Sequence, residues 1–557
     1  MPTPDMTEPP AVSGAAETCA PRPGRALLWL VIAIIAVYAA GLNPYWRFQR
    51  DSSIYLGLAR SLIETGRYRF DYEEHTVYPP GLPAILAGVG LVFGLPDRIG
   101  AGFLAVNVLM LAFGLGSIGI VWMVFRELRL PDSVRLPAVL LFASSRTLYY
   151  YSQHIMTDVP FTFFALAAVY AGLKMLHSDG KRSLLWALVA GVLVAVASSI
   201  RAAGPVLAAA LILGVWLRKG SLRQSWANAG RTALICVLLV ALLGLWAARN
   251  ARVGSPEAAG YFRGRVSTRV AVRTVRVVVG RTGESLAGLA DAVSGTHAGP
   301  VLGAILVALA LAGILRAVRS GEVAFTAYGV LSALVVMAGG WALGRRYLLP
   351  ALPVVSYWLV LGAGVIAGPL GRLGSFWTPR RLKALGWACL GILLAVNVAR
   401  IGKLIAENRA PSFYAKWDEG RGADYAAVTD WLRQHAPPGS GVFGYEGTTL
   451  HYFTGLPSFS PPRGAEGVRP NWLLRQLREQ RIRYIVQDER KAQSTGAVGW
   501  LRDGFPEAFQ VVFETGRVDV LECVPLQLGH PGPLQPLADD GSLARAMPVG
   551  RLRPRQR

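Results

Sequence analysis

Long apolar stretches between residues 26 and 400 constrain this chain more than any other feature of its sequence. A membrane-spanning helix needs about 20 mostly apolar residues. Only 16% of all residues are charged, whereas soluble domains carry about 25%. The sequence therefore predicts a polytopic α-helical membrane protein. Its eleven predicted spans are 26–42, 100–124, 136–152, 159–177, 184–200, 203–217, 232–248, 300–316, 323–343, 347–368 and 384–400.

A further apolar segment, 79–95, is short and begins with Pro79, Pro80 and Gly81. If this segment does not cross, the N-terminus and the basic loops share the cytoplasmic side, as the positive-inside rule requires. Those loops are 125–135, 178–183, 218–231, 317–322 and 369–383. A crossing helix would move every one of them outside. We therefore predict a re-entrant or membrane-surface segment at 79–95.

This orientation places the loops 43–78 and 249–299 and everything after about residue 399 on the outer face. Short β-like runs alternate with helical stretches between residues 401 and 528, which predicts a soluble periplasmic α/β domain. The runs are 441–445, 483–487, 510–514 and 518–523, and the helical stretches include 425–435 and 471–480. Residues 1–24, on the cytoplasmic side, and the basic residues 529–557 have the composition of disordered tails.

Charge and cysteine content exclude several classes of protein. The formal net charge is +23, but Lys and Arg sit mostly in short clusters between apolar runs. No soluble basic module or RNA-binding signature is present, so we expect no nucleic-acid partner. The cysteines are scattered and form no CxxC pattern, which implies neither a disulfide framework nor a zinc site. They are Cys19, Cys236, Cys389 and Cys523.

Asp51 follows the first predicted span and opens a stretch with helical periodicity. Ile54, Leu58 and Leu62 recur on one face, and Tyr55 stands one turn from Asp51. An amphipathic helix on the membrane would place Asp51 at its N-terminal end. Asp is a favoured N-cap residue, so capping is the simpler interpretation. A capping carboxylate can also face a cavity.

A second carboxylate and two aromatic residues lie on the same predicted face. Asp158 begins a span and precedes Val159 and Pro160, which suits either a helix start or the rim of a cavity. His75 and Tyr78 precede Pro79, which suits a surface turn as well as a site.

Three arginines on the outer face are not explained by the positive-inside rule. Arg201 lies between two spans joined by almost no loop, and Arg345 and Arg346 precede Tyr347 between two others. Interfacial snorkelling is one explanation. Phosphate binding is the other, because a guanidinium group matches a phosphate and stays charged.

Five motifs in this order resemble the GT-C superfamily of membrane glycosyltransferases. They are Asp51 with Tyr55, Tyr78-Pro79-Pro80-Gly81-Leu82-Pro83, Thr157-Asp158-Val159-Pro160-Phe161, Ile200-Arg201-Ala202 and Arg346-Tyr347-Leu348-Leu349-Pro350. The chain looks most like the branch that holds protein O-mannosyltransferases, aminoarabinose transferases of lipid A and galacturonosyltransferases of the lipopolysaccharide core. Within that branch it looks nearer to the galacturonosyltransferases.

The resemblance implies a sugar donor linked to polyprenyl phosphate, an envelope acceptor and an inverting single displacement. Asp51 would be the general base, and arginines would stabilise the leaving phosphate. The implied location is the inner membrane, with the site facing the periplasm. The implied substrate-binding residues are Tyr55, His75, Tyr78, Asp158, Arg201, Arg345, Arg346 and Tyr347.

Two departures from the aminoarabinose transferases bear on cofactors. Ser52 stands where those enzymes commonly have Glu, and Tyr78 stands where they have an acidic residue. His75 or Asp158 could bind a divalent cation, but two candidate ligands do not make a site. The cofactor is therefore unassigned.

Two other functions stay open. One is a transporter or flippase for a lipid-linked or small anionic substrate, although the charges cluster on one face and no inverted repeat is visible. The other is a non-catalytic envelope protein, which would follow if Asp51 only caps a helix.

Overall fold

The computed structural model describes most of the chain between residues 24 and 523. The described residues are 24–217 apart from 48, 72, 100 and 101, then 222–253, 282–294, 299–338, 345–370, 378–409, 421–461, 473, 476, 477, 479–490, 498, 499, 502 and 505–523. The two predicted tails, apart from Gly24, lie outside the described residues, as do residues 254–281 and 295–298 of the predicted loop 249–299. The chain divides into two compact units, Met1–Ala426 and Ala427–Arg557.

The first unit is built almost entirely of helices. In chain order these are α1 (Arg25–Ala39), α2 (Arg50–Thr65), α3 (Gly81–Phe93), α4 (Leu104–Glu127), α5 (Asp132–Ala143), α6 (Arg146–Tyr151), α7 (Asp158–His177), α8 (Gly180–Ile200), α9 (Pro205–Trp216), α10 (Leu222–Val253), α11 (Thr282–Ser294), α12 (Pro300–Arg319), α13 (Val323–Ala338), α14 (Arg345–Leu348), α15 (Leu352–Leu370) and α16 (Pro379–Arg409). The only strands described in this unit, β1 (Arg69–Phe70) and β2 (Glu73–Glu74), form an antiparallel hairpin.

Seven segments of the described helices are long and apolar enough to cross a membrane. They are Leu104–Glu127, Asp158–His177, Gly180–Ile200, Trp226–Val253, Pro300–Arg319, Arg346–Ala367 and Ala384–Arg409. Three further predicted spans coincide with the shorter apolar helices α1, α9 and α13. The segment predicted to be re-entrant forms α3, which has 13 residues. This length is below the roughly 20 residues that a crossing helix needs.

The predicted span 136–152 is wrong as a single helix, because the structure breaks it between α5 and α6. Ser145 adopts an extended backbone and accepts a hydrogen bond from the Leu148 backbone N–H through its hydroxyl oxygen. The hydroxyl of Ser145 also donates to the Ala292 carbonyl oxygen, and Asn397 accepts the N–H of Arg146. The break is therefore stabilised by a cap and by two neighbouring helices.

The outward surface of the helices is apolar, as expected for a protein in lipid. Leu245, Val301 and Ile392 are 71%, 73% and 65% exposed on α10, α12 and α16. Inside the unit, α7 packs against α4 and α8, and α12 packs against α15. In water such exposure would be unfavourable for a monomer. The protein is a multi-pass membrane protein.

The second unit contains a five-stranded mixed sheet in the order β4-β3-β5-β7-β6. The strands are β3 (Gly441–Gly444), β4 (Ser458–Phe459), β5 (Ile482–Asp488), β6 (Phe509–Thr515) and β7 (Val518–Cys523). β3 pairs in parallel with β4 and β5, whereas β7 is antiparallel to β5 and β6. The predicted strands are confirmed, and β4 was not predicted. The helices described in this unit are α17 (Arg421–His435), which crosses the unit boundary, and α18 (Gly447–Thr454). Most of the predicted helix 471–480 lies outside the described residues.

Candidate active site

Asp158 is the buried centre of a charged cluster in the first unit. It is the first residue of α7, and its side chain is 0% exposed. One carboxylate oxygen accepts a hydrogen bond from Arg201, and the other accepts from the Nε atom of Arg346 at 2.9 Å. The cluster brings together residues that lie far apart in the sequence. A buried carboxylate of this kind is stable only when it is paired and hydrogen-bonded.

Helix ends supply these charged groups. Asp158 lies in the first turn of α7, where the partial positive charge of the helix favours a carboxylate. Arg201 directly follows the last residue of α8, where a cation is favoured. In the Pro-Pro-Gly motif, Gly81 allows the start of α3 to approach the end of α8 closely. A Cβ atom at Gly81 would lie 2.6 Å from the carbonyl carbon of Ser199, so only glycine lets α3 pack against the end of α8.

Arg346 links Asp158 to the other predicted carboxylate. Its Nη2 atom lies 3.4 Å from Oδ2 of Asp51, while its Nε atom donates to Asp158. One guanidinium group therefore bridges both aspartates. The side chain of the neighbouring Arg345 lies outside the described part of the chain.

Asp51 occupies the first turn of α2 but does not cap it. The N-cap residue is Gln49, whose backbone N–H donates to the Ser52 hydroxyl oxygen at 3.2 Å. The capping interpretation of Asp51 is therefore wrong. Ser52 also accepts from the indole N–H of Trp46, so its departure from the family pattern has a structural use. The Asp51 carboxylate instead faces Tyr78 and Arg346.

Aromatic residues surround the second oxygen of Asp51. The hydroxyl of Tyr78 donates to Oδ1 of Asp51 at 3.0 Å. The ring of Tyr78 stacks on His75 and meets Tyr55 edge to face. Tyr55 is buried and hydrogen-bonds the side chain of Thr157, which adjoins Asp158. Tyr55 and Tyr78 thus connect the two acidic segments.

The side chain of His75 accepts a hydrogen bond from the backbone of Tyr78. Its Nε2 atom accepts the backbone N–H of Tyr78 at 3.1 Å, which requires a neutral ring with its proton on Nδ1. Burial, and then the positive charge of Arg249, lower the pKa of His75 to about 4. His75 is therefore neutral near pH 7 and supports Tyr78.

An apolar crevice opens beside the arginines. Its walls are Phe161, Arg201, Ala203, Val206, Tyr328, Ser332, Val335, Tyr347 and Pro350. The ring of Tyr347 lies 5.6 Å from the guanidinium carbon of Arg201 and 5.8 Å from that of Arg346. One end of the crevice is therefore cationic and the rest is mostly apolar. This combination suits an amphiphile with an anionic head.

Comparisons with known proteins identify the fold that carries this cluster. A family model described as dolichyl-phosphate-mannose-protein mannosyltransferase matches residues 78–246. One similar structure is ArnT from Cupriavidus metallidurans, solved bound to undecaprenyl phosphate. The match spans 91% of this chain and 100% of the ArnT chain, with a TM-score of 0.57 and 14% sequence identity. Another is AglB from Archaeoglobus fulgidus, solved with an inhibitory peptide and a dolichol-phosphate. The match spans 91% of this chain and 75% of the AglB chain, with a TM-score of 0.57 and 13% sequence identity. The chain has a GT-C fold.

The GT-C fold is shared over most of the chain, although sequence similarity is low. No curated protein sequence matches the chain. The family model covers less than a third of it and includes Tyr78, Asp158 and Arg201 but neither Asp51 nor Arg346. The resemblance to GT-C glycosyltransferases is confirmed at the level of the fold.

Arg249 is a member of the cluster that the sequence analysis missed. It lies near the C-terminal end of α10 and donates to the backbone of the segment that carries His75 and Tyr78. It stands at the first position of the predicted outer loop 249–299. An arginine in a predicted outer loop is unexplained by the positive-inside rule, but the loop 249–299 contains several others, so this signal alone does not single out Arg249.

A divalent cation does not fit between the two aspartates as they are arranged. Arg346 bridges them, and both oxygens of Asp158 accept from guanidinium groups. Within the described residues, no group of three or more His, Cys, Asp or Glu side chains could hold a metal ion. His75, the other candidate ligand, uses Nε2 for the backbone of Tyr78. The guanidinium group of Arg346 lies in the position where a metal ion would bridge the two carboxylates.

Proposed function

We propose that the protein is an inverting glycosyltransferase. It would move a hexosyl or pentosyl group from a polyprenyl-phosphate donor to a hydroxyl of an envelope lipid, glycan or protein, on the outer face of the inner membrane. The observation that carries the proposal is the bridge from Arg346 to Asp51 and Asp158 beside an apolar crevice. In this proposal it supplies a base, a cationic phosphate site and an adjoining apolar surface for the carrier.

The two aspartates have different roles in this proposal because their environments differ. The side chain of Asp158 is completely buried, and both its oxygens accept from arginines. The side chain of Asp51 is 19% exposed, so a substrate can reach it. A general base must lie within hydrogen-bond reach of the proton that it removes. Asp51 is therefore the base, and Asp158 holds the two arginines in place.

The reaction is a single displacement. The acceptor oxygen attacks the anomeric carbon while its proton passes to Asp51. The bond between the anomeric carbon and the phosphate oxygen breaks, and polyprenyl phosphate leaves with the bonding electrons. Attack opposite the leaving group inverts the configuration at the anomeric carbon. Negative charge grows on the phosphate, and preorganised cations stabilise it best where water is excluded.

Arg201 and Arg346 are positioned for that charge. Their side chains are 19% and 26% exposed, so each keeps surface available after pairing with Asp158. Tyr347 lies against both guanidinium groups, which restricts their movement. The apolar walls beside them, including Phe161 and Val206, suit the first isoprene units of the carrier. ArnT and AglB, which share the fold, were solved with undecaprenyl phosphate and dolichol-phosphate respectively.

A donor assay tests the proposal. Purified protein in detergent is incubated with a panel of polyprenyl-phosphate sugars and with a crude envelope lipid and glycan extract as acceptor. Release of free polyprenyl phosphate is followed for the wild type, for Asp51→Asn and for the control Glu64→Gln, which changes an exposed carboxylate on the same helix. Loss of a general base lowers a rate by about 10²- to 10⁴-fold. We expect that loss for Asp51→Asn and wild-type rates for Glu64→Gln.

Two results would contradict the proposal. Equal release by the wild type and Asp51→Asn would remove Asp51 as the base. Uptake of an intact lipid-linked sugar into proteoliposomes, without any release of polyprenyl phosphate, would favour the transporter or flippase.

A further inference from the structure

We propose that Arg249 is a positioning residue for the acceptor side of the site, and that it acts through Tyr78 on Asp51. This inference rests on the proposed function, because it takes Asp51 to be the base. Arg249 lies outside the five motifs of the sequence analysis and outside the family-model match, and it does not line the crevice beside Arg201. It belongs to α10, whereas Asp51 belongs to α2.

The guanidinium group of Arg249 clamps the β1–β2 hairpin. Its Nη1 atom donates to the carbonyl oxygen of His75 at 2.7 Å, and its Nη2 atom donates to that of Tyr68 at 3.1 Å. Nη2 also lies 2.5 Å from a carboxylate oxygen of Glu74. The rings of Tyr68 and Trp246 lie 5.5 and 5.1 Å from its guanidinium carbon. Such a multidentate arrangement fixes both the position and the orientation of the segment.

The clamp continues directly to Tyr78. The hydroxyl of Tyr68 donates to the carbonyl oxygens of Tyr78 and Pro79 at 3.1 and 3.2 Å. The backbone N–H of Tyr78 donates to His75, whose own carbonyl oxygen is held by Arg249. The backbone of Tyr78 is therefore fixed from both sides by residues that Arg249 contacts.

Tyr78 in turn holds Asp51, the proposed base, through its hydroxyl group. Its hydroxyl donates to Oδ1 of Asp51 at 3.0 Å, while Arg346 approaches Oδ2. The hydrogen bond therefore selects which oxygen of Asp51 faces the acceptor and at what angle. Misplacement of a reacting group by about 1 Å can cost about 100-fold in rate. Loss of Arg249 should thus act on the chemical step more than on donor binding.

The first test measures coupling without any substrate. Thermal unfolding in detergent is recorded for the wild type, Arg249→Met, Tyr78→Phe and the double variant. Tyr78→Phe removes only the hydroxyl that contacts Asp51. If Arg249 positions that hydroxyl, Tyr78→Phe lowers the unfolding temperature of the wild type but has little effect in the Arg249→Met background. Fully additive shifts would overturn the inference.

The second test measures transfer. With the donor that gives Asp51-dependent release, we expect Arg249→Met to lower kcat by about 10- to 100-fold with donor KM changed by less than about threefold. Arg249→Lys should recover part of kcat, since Lys can replace one of the donated hydrogen bonds. The matched control is Arg252→Met, because Arg252 is exposed on the same helix, and its rate should stay at the wild-type level.

The outcomes separate the two proposals. Coupling to Tyr78 without Asp51-dependent release would refute the proposed function and the catalytic part of this inference with it. Asp51-dependent release with a normal kcat for Arg249→Met would refute the positioning role alone. If Arg249→Met does not fold, Arg249→Lys replaces it in both tests, because it keeps the charge but cannot make all the hydrogen bonds of the guanidinium group.

Discussion

Arg346 donates from Nε to the Oδ2 atom of Asp158 at 2.9 Å, although 188 positions separate the two residues in the sequence. This hydrogen bond joins the first turn of α7 to the short helix α14. Because Asp158 also accepts from Arg201, one buried carboxylate holds Arg346 together with Arg201, which lines the crevice. The charge on Asp158 therefore supports both the fold and the proposed phosphate site.

Replacement of Asp158 should destabilise the protein. Asp158→Asn keeps the volume of the side chain but leaves Arg201 and Arg346 without their shared counter-ion. Removing one partner of a buried ion pair costs about 3–5 kcal/mol. We expect the lower end of that range, since both arginines keep some exposure to solvent. The free energy of unfolding in denaturant measures it. Asp179→Asn is the control, because Asp179 is an exposed aspartate just before a helix, and an equal loss there would contradict the prediction.

Arg346 should matter more for the donor than for the acceptor. In Arg346→Ala, the proposed phosphate site loses the cation that lies against Tyr347, and Asp51 loses the group that approaches Oδ2. We expect donor KM to rise by about tenfold or more, since a hydrogen bond to a charged group contributes about 1.5–3 kcal/mol. Acceptor KM should change by less. Steady-state kinetics with each substrate varied in turn measures both, and equal rises would remove Arg346 from phosphate binding.

His75 should make the protein less stable as the pH falls. Its pKa in the folded protein is lowered to about 4, chiefly by burial and then by Arg249, while the unfolded value is about 6.5. The unfolded chain therefore binds more protons between these values, and the free energy of unfolding decreases as the pH falls through this window. Above about pH 7.5 the effect is constant, because His75 is then neutral in both states.

The measurement compares His75→Gln with the wild type. Burial also lowers the pKa of His154, to about 3, so that residue contributes in the same window and only the difference between the two proteins isolates His75. Arg249 contacts the backbone of His75. The hydrogen bond from Arg69 and the charge of Arg249 keep the pKa of the neighbouring Glu74 below its ordinary value. From about pH 7.5 to pH 5 the wild type should lose about 2 kcal/mol more than His75→Gln, at about 1.4 kcal/mol per pKa unit. Parallel curves would contradict the prediction.

The loop 125–135 should face the cytoplasm. Ser133 is exposed at the start of α5, so Ser133→Cys introduces an accessible thiol. In a variant whose four native cysteines are replaced, this thiol should resist impermeant maleimide added to intact cells and react after lysis. Glu73→Cys, on the loop predicted to lie outside, is the matched control and should react in both cases. Labelling of Ser133→Cys in intact cells would overturn the predicted orientation and the treatment of 79–95.

The sequence by itself determined the class of the fold and the positions of most helices. Hydropathy is a local property, and a long apolar run has to form a helix in lipid because every backbone polar group must be hydrogen-bonded within the segment. The helices α4, α7, α8 and α12 were recognisable for this reason. The sequence also identified candidate site residues, because charges next to apolar spans need partners. These were Asp51, Asp158, Arg201 and Arg346.

Only the tertiary structure decided which of those charges meet. The bridge from Arg346 to Asp51 and Asp158 depends on how helices pack across the unit, and no local pattern encodes that geometry. The break at Ser145 was hidden for the same reason, because its hydrogen bonds come partly from α11 and α16. The role of Arg249 also follows from packing, since its partners lie at residues 68, 74 and 75. Helix formation is set by nearby residues, whereas the pairing of charges is set by distant ones.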